Sequence, residues 1–466
     1  MFRGAFVRVL AAAVLCTACA ASVLSAEGTR TRYVRRGRRP IDFEEVITTA
    51  KEEVFPALVY VKPIRETYAG GEKEREQVFG SGVIISRDGL VVTNHHVVDK
   101  AIQINCVLWN REQVPAELVG QDQETDLALI RLRYEGRDRL PTAEFADSDR
   151  LTEGQFVMAL GAPFGFTRSI SLGIISNTQR YIGFRTMYKY NLWLQTDASI
   201  NPGNSGGPLV NTEGRIVGIN TLGIRSAGMG FSVPSNEAKR IVERLERDGK
   251  VLRAWTGLEL QALKDFDSNT FIEGEEGVLV KGVEAGSPAQ AAGLAGGDIL
   301  LKVNGEAVSG IYVEQLPYIR WSLGDLPIGE AARVTVRRGD DYVRVELTPT
   351  LKGEVEGEDF DCRRWNMTVK GITKHANPTL HYYRQTGVFI RAVRYPGNAS
   401  SSGLRSNDII LRIGTESVET VDDVKRIYEE LMADESREKK VLITVLRSGL
   451  ESLVVLDYRK DYEKED

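Results

Sequence analysis

The segment Asn201-Pro202-Gly203-Asn204-Ser205-Gly206-Gly207-Pro208-Leu209 constrains this chain more than any other. Its glycines allow positive φ and let another backbone or a ligand come close, so the segment must fold as a tight turn. It sets one serine in that turn. A serine hydroxyl is a poor nucleophile at neutral pH unless a general base and an orienting carboxylate lie elsewhere in the chain. Given such partners, the amides of Gly203 and Ser205 can converge on one oxygen and form an oxyanion hole.

Both partners have candidates upstream. Val91-Val92-Thr93-Asn94-His95-His96-Val97-Val98 follows a strand-turn-strand pattern with its turn at Asp88-Gly89. Neighbouring side chains in an extended or tightly turned segment point to different sides, so one of the two histidines faces Ser205. We assign His96 and leave His95 as a bystander. Asp126 immediately precedes the apolar run Leu127-Ala128-Leu129-Ile130, which reads as a buried strand. An acid at the edge of a core is costly unless it is paired. Donation from a histidine ring nitrogen would satisfy it and fix the tautomer that a base requires. A base must be unprotonated, so activity is expected to fall in mild acid.

The strings Gly80-Ser81-Gly82-Val83-Ile84-Ile85, Thr93-Asn94-His95-His96-Val97, Thr125-Asp126-Leu127-Ala128-Leu129 and Gly203-Asn204-Ser205-Gly206-Gly207-Pro208-Leu209 resemble those of the HtrA (Deg, or Do-like) serine proteases, over roughly residues 43–248. The resemblance implies a mainly β fold, with a chymotrypsin-like pair of six-stranded β-barrels and the active site in the cleft between them. It implies His96 as general base and acid, Asp126 as its orienting group, Ser205 as the nucleophile, and Gly203 with Ser205 as oxyanion-hole donors. In trypsin-like enzymes the residue six before the nucleophile floors the specificity pocket, and here it is Ser199. With Ile200 beside it and Asn220, Thr221 and Leu222 as the wall strand, the pocket is expected to take a small or medium apolar side chain. One methylene changes such binding by only about 1–3 kcal/mol, so the preference should be loose.

A chain of 466 residues has room for about three domains at roughly 150 residues each. The protease reading covers 43–250, less than half. A formal charge of -5 gives no general attraction to nucleic acid. Residues 1–26 read as a signal peptide or N-terminal anchor: Arg3 and Arg8 flank an apolar run, and no acid appears before Glu27. Cleavage after Ala26, retention as an anchor and acylation at Cys19 all stay open. Residues 27–42 form a basic linker, with Arg30, Arg32, Arg35, Arg36, Arg38 and Arg39 suited to anionic lipid headgroups. Export to a bacterial periplasm or cell envelope follows, with membrane proximity through the N-terminus. Beyond the leader the chain has only Cys106 and Cys362, too few for a disulfide framework and read as unpaired. His375 and His381 lack companions at metal-ligand spacing, so no metal or other cofactor is expected.

After Pro234-Ser235, the positions of Ala238, Ile241, Val242 and Leu245 predict a helix that Gly249 ends. An internal repeat with a period of about 110 residues follows: Ser287-Pro288-Ala289-Gln290-Ala291-Ala292-Gly293-Leu294-Ala295-Gly296-Gly297-Asp298 returns as Gly397-Asn398-Ala399-Ser400-Ser401-Ser402-Gly403-Leu404-Arg405-Ser406-Asn407-Asp408. The copies, 253–350 and 362–460, resemble α+β PDZ domains of the HtrA family, which take an extended peptide onto a sheet edge and hold its terminal carboxylate with backbone amides. Trp255-Thr256-Gly257-Leu258 occupies the position of that carboxylate loop. Its counterpart Trp365-Asn366-Met367-Thr368-Val369 lacks the glycine. A groove helix is predicted after Thr420, with Val421, Val424, Ile427 and Leu431 on one face. In the first copy Pro317 falls in the middle of 313–323, which should break or displace the helix. Residues 351–361, rich in Gly and Glu, read as a solvated linker.

The expected protein is an exported HtrA-like serine endopeptidase that degrades unfolded or damaged proteins and binds exposed peptide C-termini through its PDZ domains. The family resemblance implies a homotrimer or a multiple of trimers, and ordering of glycine-bearing loops such as Gly161-Ala162-Pro163-Phe164-Gly165. The rival expectation is a peptide-binding chaperone or scaffold in which proteolysis is secondary.

Overall fold

The computed structural model describes residues 42–462 apart from 137–138, 163–167, 183–187, 267–268, 354–356, 375, 435 and 437. The leader with Cys19, the basic arm up to residue 41, residues 163–165 of the glycine-bearing loop, and His375 lie outside the described residues. The described chain opens with the helix Phe43–Val54, in which Ala50 and Val54 are fully buried. No described helix is long and apolar enough to cross a membrane.

Seven strands follow: β1 (Leu58–Ala69), β2 (Glu72–Gln77), β3 (Gly80–Ile84), β4 (Leu90–Thr93), β5 (Ala101–Val107), β6 (Gln113–Asp122) and β7 (Leu127–Leu132). They form one sheet in the order β2-β1-β3-β4-β7-β6-β5, and β1 pairs back onto β5 with Val61 opposite Cys106. That pairing closes six strands into a barrel, with β2 as an outer hairpin arm. Closure removes the open edges that a sheet this apolar would otherwise expose. Gly82 is needed where β3 meets β4: a Cβ there would lie 2.6 Å from Val91 Cγ1.

The second barrel consists of β8 (Phe156–Gly161), β9 (Ser169–Arg180), β10 (Trp193–Thr196), β11 (Pro208–Val210), β12 (Ile216–Ile224) and β13 (Met229–Pro234). It closes in the order β10-β13-β12-β11-β8-β9, so the expected pair of six-stranded barrels is present. The predicted helix runs Ser235–Asp248, with Ala238, Ile241, Val242 and Leu245 buried. Gly249 ends it at φ +70°. The helix packs back across β6 and β7 of the first barrel, tying the barrels together. Cys106 and Cys362 are free and buried.

Two sheet units with one topology follow. In the first, Leu258–Gln261, Val278–Val283, Ile299–Val303, Ala332–Arg338 and Asp341–Leu347 lie in that order. In the second the order is Asp359–Cys362, Met367–Gly371, Val388–Val393, Ile409–Ile413, Lys440–Arg447 and Leu450–Asp457, one strand more at its start. The repeat seen in sequence has an internal bolt in both copies. Arg338 makes a bidentate contact with Asp298 at 2.7 and 2.8 Å and also donates to Gly293 O; Arg447 does the same with Asp408, at 2.6 and 2.6 Å, and with Gly403 O.

Pro317 acts as expected. A 3-10 turn Val313–Gln315 leads into a helix Leu316–Gly324 that carries the proline in its first turn, where its missing N–H costs nothing. The second unit's helix is unbroken, Val421–Ala433, with Thr420 and Asp423 forming a capping box. The linker expectation for 351–361 needs correction. Thr350–Leu351 and Asp359–Cys362 are strands, and the Asp359 side chain is only 5% exposed. Charge composition hid this strand, because its acid is neutralised by cations that lie far away in sequence.

The first unit is seated on the barrels by a buried guanidinium. Arg253 makes a bidentate contact with Asp122, at the end of β6, at 2.7 and 2.8 Å. It also lies 4.5 Å from the Tyr190 ring centre and 5.0 Å from that of Trp321. Trp321 Nε1 donates to Tyr190 O at 3.1 Å, and Arg240 covers the indole at 3.8 Å. Burial alone would raise the Asp122 carboxyl, but the paired Arg253 N–H groups outweigh it and hold the acid below its ordinary range. Arg253→Ala would strand a buried carboxylate, and we expect it to destabilise the protein by about 3–5 kcal/mol in urea unfolding. Because Asp122 titrates lower in the fold than in the unfolded chain, its contribution is complete above about pH 4 and is lost as pH falls. In the variant burial acts on the carboxyl without Arg253 and holds it above its unfolded range, so this group's contribution should rise rather than fall as pH drops. An Arg253→Ala midpoint equal to wild type would remove this joint from the account of stability.

Candidate active site

The loops at the facing ends of the barrels bring three sequence-predicted residues into one region. His96 lies in the helical turn His95–Val98 directly after β4, Asp126 lies in the turn between β6 and β7, and Ser205 lies in the glycine turn before β11. The Asp126 side chain is fully buried, while that of His96 is 41% exposed. Imidazole Nδ1 stands 2.8 Å from Asp126 Oδ2 and 3.0 Å from Oδ1, and the His96 amide donates to Oδ1 at 3.0 Å. With Nδ1 donating to the carboxylate, the neutral ring leaves Nε2 as an acceptor.

Asp126 has a left-handed backbone, φ +60°, uncommon for a residue with a side chain. The turn is held there by its neighbours. His95 N and Asn94 Nδ2 both donate to the Asp126 carbonyl, at 3.1 and 2.9 Å. Asn191 Nδ2 donates to Thr125 O, and Thr125 Oγ1 donates to Asp122 Oδ2. His95 has its Nε2 3.9 Å from Asp99 and stays out of the Asp126 carboxylate, in keeping with a bystander.

Gly203 and Gly206 take φ +101° and +82° around Ser205. Gly206 has no room for a side chain, since a Cβ would lie 2.2 Å from Ser81 O and 2.4 Å from Thr93 Oγ1. Among the described residues the amides of Gly203 and Ser205 donate to no protein group. Two unpaired N–H groups two residues apart on a positive-φ turn suit an anionic oxygen. The Ser205 hydroxyl itself donates to Thr221 O at 3.2 Å and makes no hydrogen bond with His96 among the described residues.

Of the five residues expected to form the specificity pocket, Ser199 is exposed and Leu222 half-buried. Ile200 and Asn220 are both buried. Ile200 packs in the second barrel's apolar cluster across Gly230, a slot that exists because position 230 has no Cβ. Asn220 is fully buried: its Nδ2 donates to Leu160 O and Pro208 O, and its Oδ1 accepts from Ser232. It braces the floor of the nucleophile turn. Thr221 turns its hydroxyl inward, toward Asn94.

Trp255, Thr256, Gly257 and Leu258 line a cavity of about 520 Å³ together with Arg320 and Leu323 of the groove helix. Gly257 is required there, at φ +78° with a Cβ position 2.1 Å from Ser287 Cβ. Gln123, Glu124, Lys189 and Tyr190 of the barrels form the cavity's far wall. In the second unit Asn366 adopts φ +54°, the left-handed conformation that asparagine tolerates, so the missing glycine does not change the turn.

Ser81 escaped sequence reasoning. It is fully buried in β3, and its hydroxyl donates to Gly203 O at 2.6 Å while accepting from Ala162 N at 2.8 Å. Its amide donates to Ser205 O at 2.8 Å. One residue of the first barrel thus fixes the carbonyls on both sides of Asn204 in the second. The available signal was a polar residue between two glycines at the head of an apolar strand, Gly80-Ser81-Gly82. Ser81→Ala leaves the Gly203 carbonyl and the Ala162 amide without this partner, and we expect a loss of about 1–3 kcal/mol in denaturant unfolding. An unchanged midpoint would mean that the turn is held without this hydroxyl.

Comparison with known proteins agrees with a trypsin-like domain followed by a PDZ domain, although the PDZ match begins at the end of β12 and stops at Pro317. Residues 80–219 match the family described as a trypsin-like peptidase domain, and residues 224–317 match the PDZ domain family. A probable periplasmic serine endoprotease DegP-like of Marinomonas sp. (strain MWYL1) is 36% identical over 379 residues, 79% of this chain and 77% of that relative. One of the same description from Chlamydia trachomatis serovar D is 32% identical over 390 residues, 82% of this chain and 75% of that relative. Among solved structures, the HtrA-type protease AlgW with tripeptide superposes with a TM-score of 0.58 at 30% identity, covering 66% of this chain and 97% of that one. The chain therefore belongs to the HtrA family of DegP-like serine endoproteases, with a trypsin-like peptidase domain and a PDZ domain.

Proposed function

We propose that this chain is an exported, periplasmic endopeptidase that cleaves unfolded or damaged polypeptides by an acyl-enzyme mechanism. His96 takes the Ser205 proton through Nε2 as Oγ attacks the scissile carbonyl, then gives it to the leaving amine; Asp126 fixes the tautomer and stabilises the imidazolium. The amides of Gly203 and Ser205 receive the oxyanion. The observation that carries this reading is the fully buried Asp126 carboxylate 2.8 Å from His96 Nδ1. Ser205 donates to Thr221 O at rest, so attack requires its hydroxyl to turn from that carbonyl to His96. Ordering of the surrounding loops would favour that turn.

The domain limits we propose are 43–250 for the protease, 253–350 for a first PDZ domain and 362–460 for a second. The equivalent bolts Asp298–Arg338 and Asp408–Arg447 support reading the last unit as a second copy. The first groove, whose strand Leu258–Gln261 ends its sheet among the described residues, is suited to peptide C-termini, and its wall of barrel residues gives a bound peptide a route to influence the protease. The relatives' names support the periplasm, and the AlgW structure is one with a tripeptide. Assembly as a trimer or a multiple of trimers, and membrane proximity through the basic arm, complete the proposal.

Ser205→Ala is expected to lower cleavage of a casein-like unfolded substrate by at least about 10⁴-fold while binding of that substrate persists. A serine-directed phosphonate should label the wild type and fail to label the variant. Substrate binding without cleavage by the wild type would instead favour a chaperone or scaffold. Cleavage undiminished in the variant would overturn the assignment of Ser205.

A further inference from the structure

The second PDZ-like unit presents its groove in a different state from the first. In the first unit the strand Leu258–Gln261 ends its sheet and borders an open cavity. In the second, the matching strand Met367–Gly371 is already paired. Segment Asp359–Cys362 runs antiparallel along it, with Asp359 opposite Lys370 and Cys362 opposite Met367. The segment also packs against the groove helix Val421–Ala433, where Phe360 meets Tyr428 edge to face at 5.8 Å. Cys362 is fully buried in the unit's core. An added strand at the sheet edge beside the groove helix is how an extended peptide docks by β-augmentation.

Further contacts fix the segment. Gly371 N donates to Glu358 O at 2.9 Å, and Gly357 approaches so closely that a Cβ would lie 2.0 Å from Gly371 O. The Asp359 carboxylate meets Arg391 at 2.8 Å and Lys370 at 3.8 Å within the unit, and Lys100 of the first barrel at 3.0 Å. The turn between β1 and β2 abuts the same unit: a Cβ on Gly71 would lie 2.3 Å from Arg394 N, and Glu72 pairs with Arg394.

We infer that residues 357–362 of this same chain are the ligand of the second groove, and that Asp359 clasps the filled groove to the protease barrel. The second groove is then a latent site. Once vacated, it takes an extended peptide with an aromatic residue in the place of Phe360 and a carboxylate just before it, facing Lys370 and Arg391. This inference rests on the PDZ-like reading of the unit proposed above.

The test uses the full chain carrying Ser205→Ala, with and without the pair Asp359→Ala and Phe360→Ala. The probe is a fluorescein-labelled peptide with the sequence of residues 357–362 and serine in place of the cysteine. A tethered strand competes at an effective concentration on the order of millimolar, so the pair should bind the probe at least about 10-fold more tightly than its parent. Equal affinity for both chains overturns the inference. Where neither binds, hydrogen exchange over Met367–Gly371 decides. Exchange at least about 10-fold faster in the pair keeps the segment as the strand's cover and removes the PDZ-like reading; unchanged exchange overturns the inference itself. Should the pair fail to fold, Lys100→Met removes only the tie to the barrel. It should speed exchange of Met367–Gly371 by a smaller factor, and no change there overturns the clasp.

Discussion

The fold of the catalytic region turns on a carboxylate with no exposed surface. An unpaired charge at Asp126 would cost several kcal/mol, so the surrounding chain has to supply donors. Both the amide and the ring of His96 do so. The left-handed backbone at φ +60° adds strain of order 1 kcal/mol, which persists only where neighbouring bonds over-determine it. Asn94, His95 and Asn191 provide those bonds. The turn also reaches outward, because Thr125 donates to Asp122, and Asp122 is the carboxylate that Arg253 clasps. The acid that orients His96 and the joint that seats the next unit therefore share one short turn.

Ser205 is constrained from the opposite side. Its turn needs positive φ at Gly203 and Gly206, and such a turn has no internal ladder to stiffen it. Stiffness comes from the other barrel through Ser81, and from below through Asn220, whose backbone pairs with Gly206 and Gly207. These struts leave the Gly203 and Ser205 amides unpaired among the described residues. A turn that paired them internally would have no donors for an anion.

What was legible in the sequence follows the range of the interactions. The helix Ser235–Asp248 and its glycine stop were readable because a 3.6-residue period and a left-handed cap are local. The Gly297-Asp298 and Asn407-Asp408 turns were readable as a repeat, but Arg338 and Arg447, about 40 residues further on, were not. His96, Asp126 and Ser205 were found because each sits in a local string typical of its family. Ser81, Asn94 and Arg253 do their work on partners in other strands or units; Ser81 is marked only by the glycines on either side of it, and the neighbourhoods of Asn94 and Arg253 carry no mark. The inward side chain of Asn220 was hidden for a related reason. Position relative to the nucleophile does not tell whether a side chain faces a pocket or the barrel interior.

The same limit explains the strand hidden in 351–361. Glycine and acidic residues ordinarily mark solvated chain, because carboxylates are not buried without compensation. Here the compensation is spread over Lys100, Lys370 and Arg391, which come from three separate strands or loops. A segment of this composition has little reason to form a strand alone; its ladder and two of its three cations come from the last unit, and the third cation comes from the barrel. Two units with one topology end in different states because one edge is met by this segment and the other is left facing a cavity.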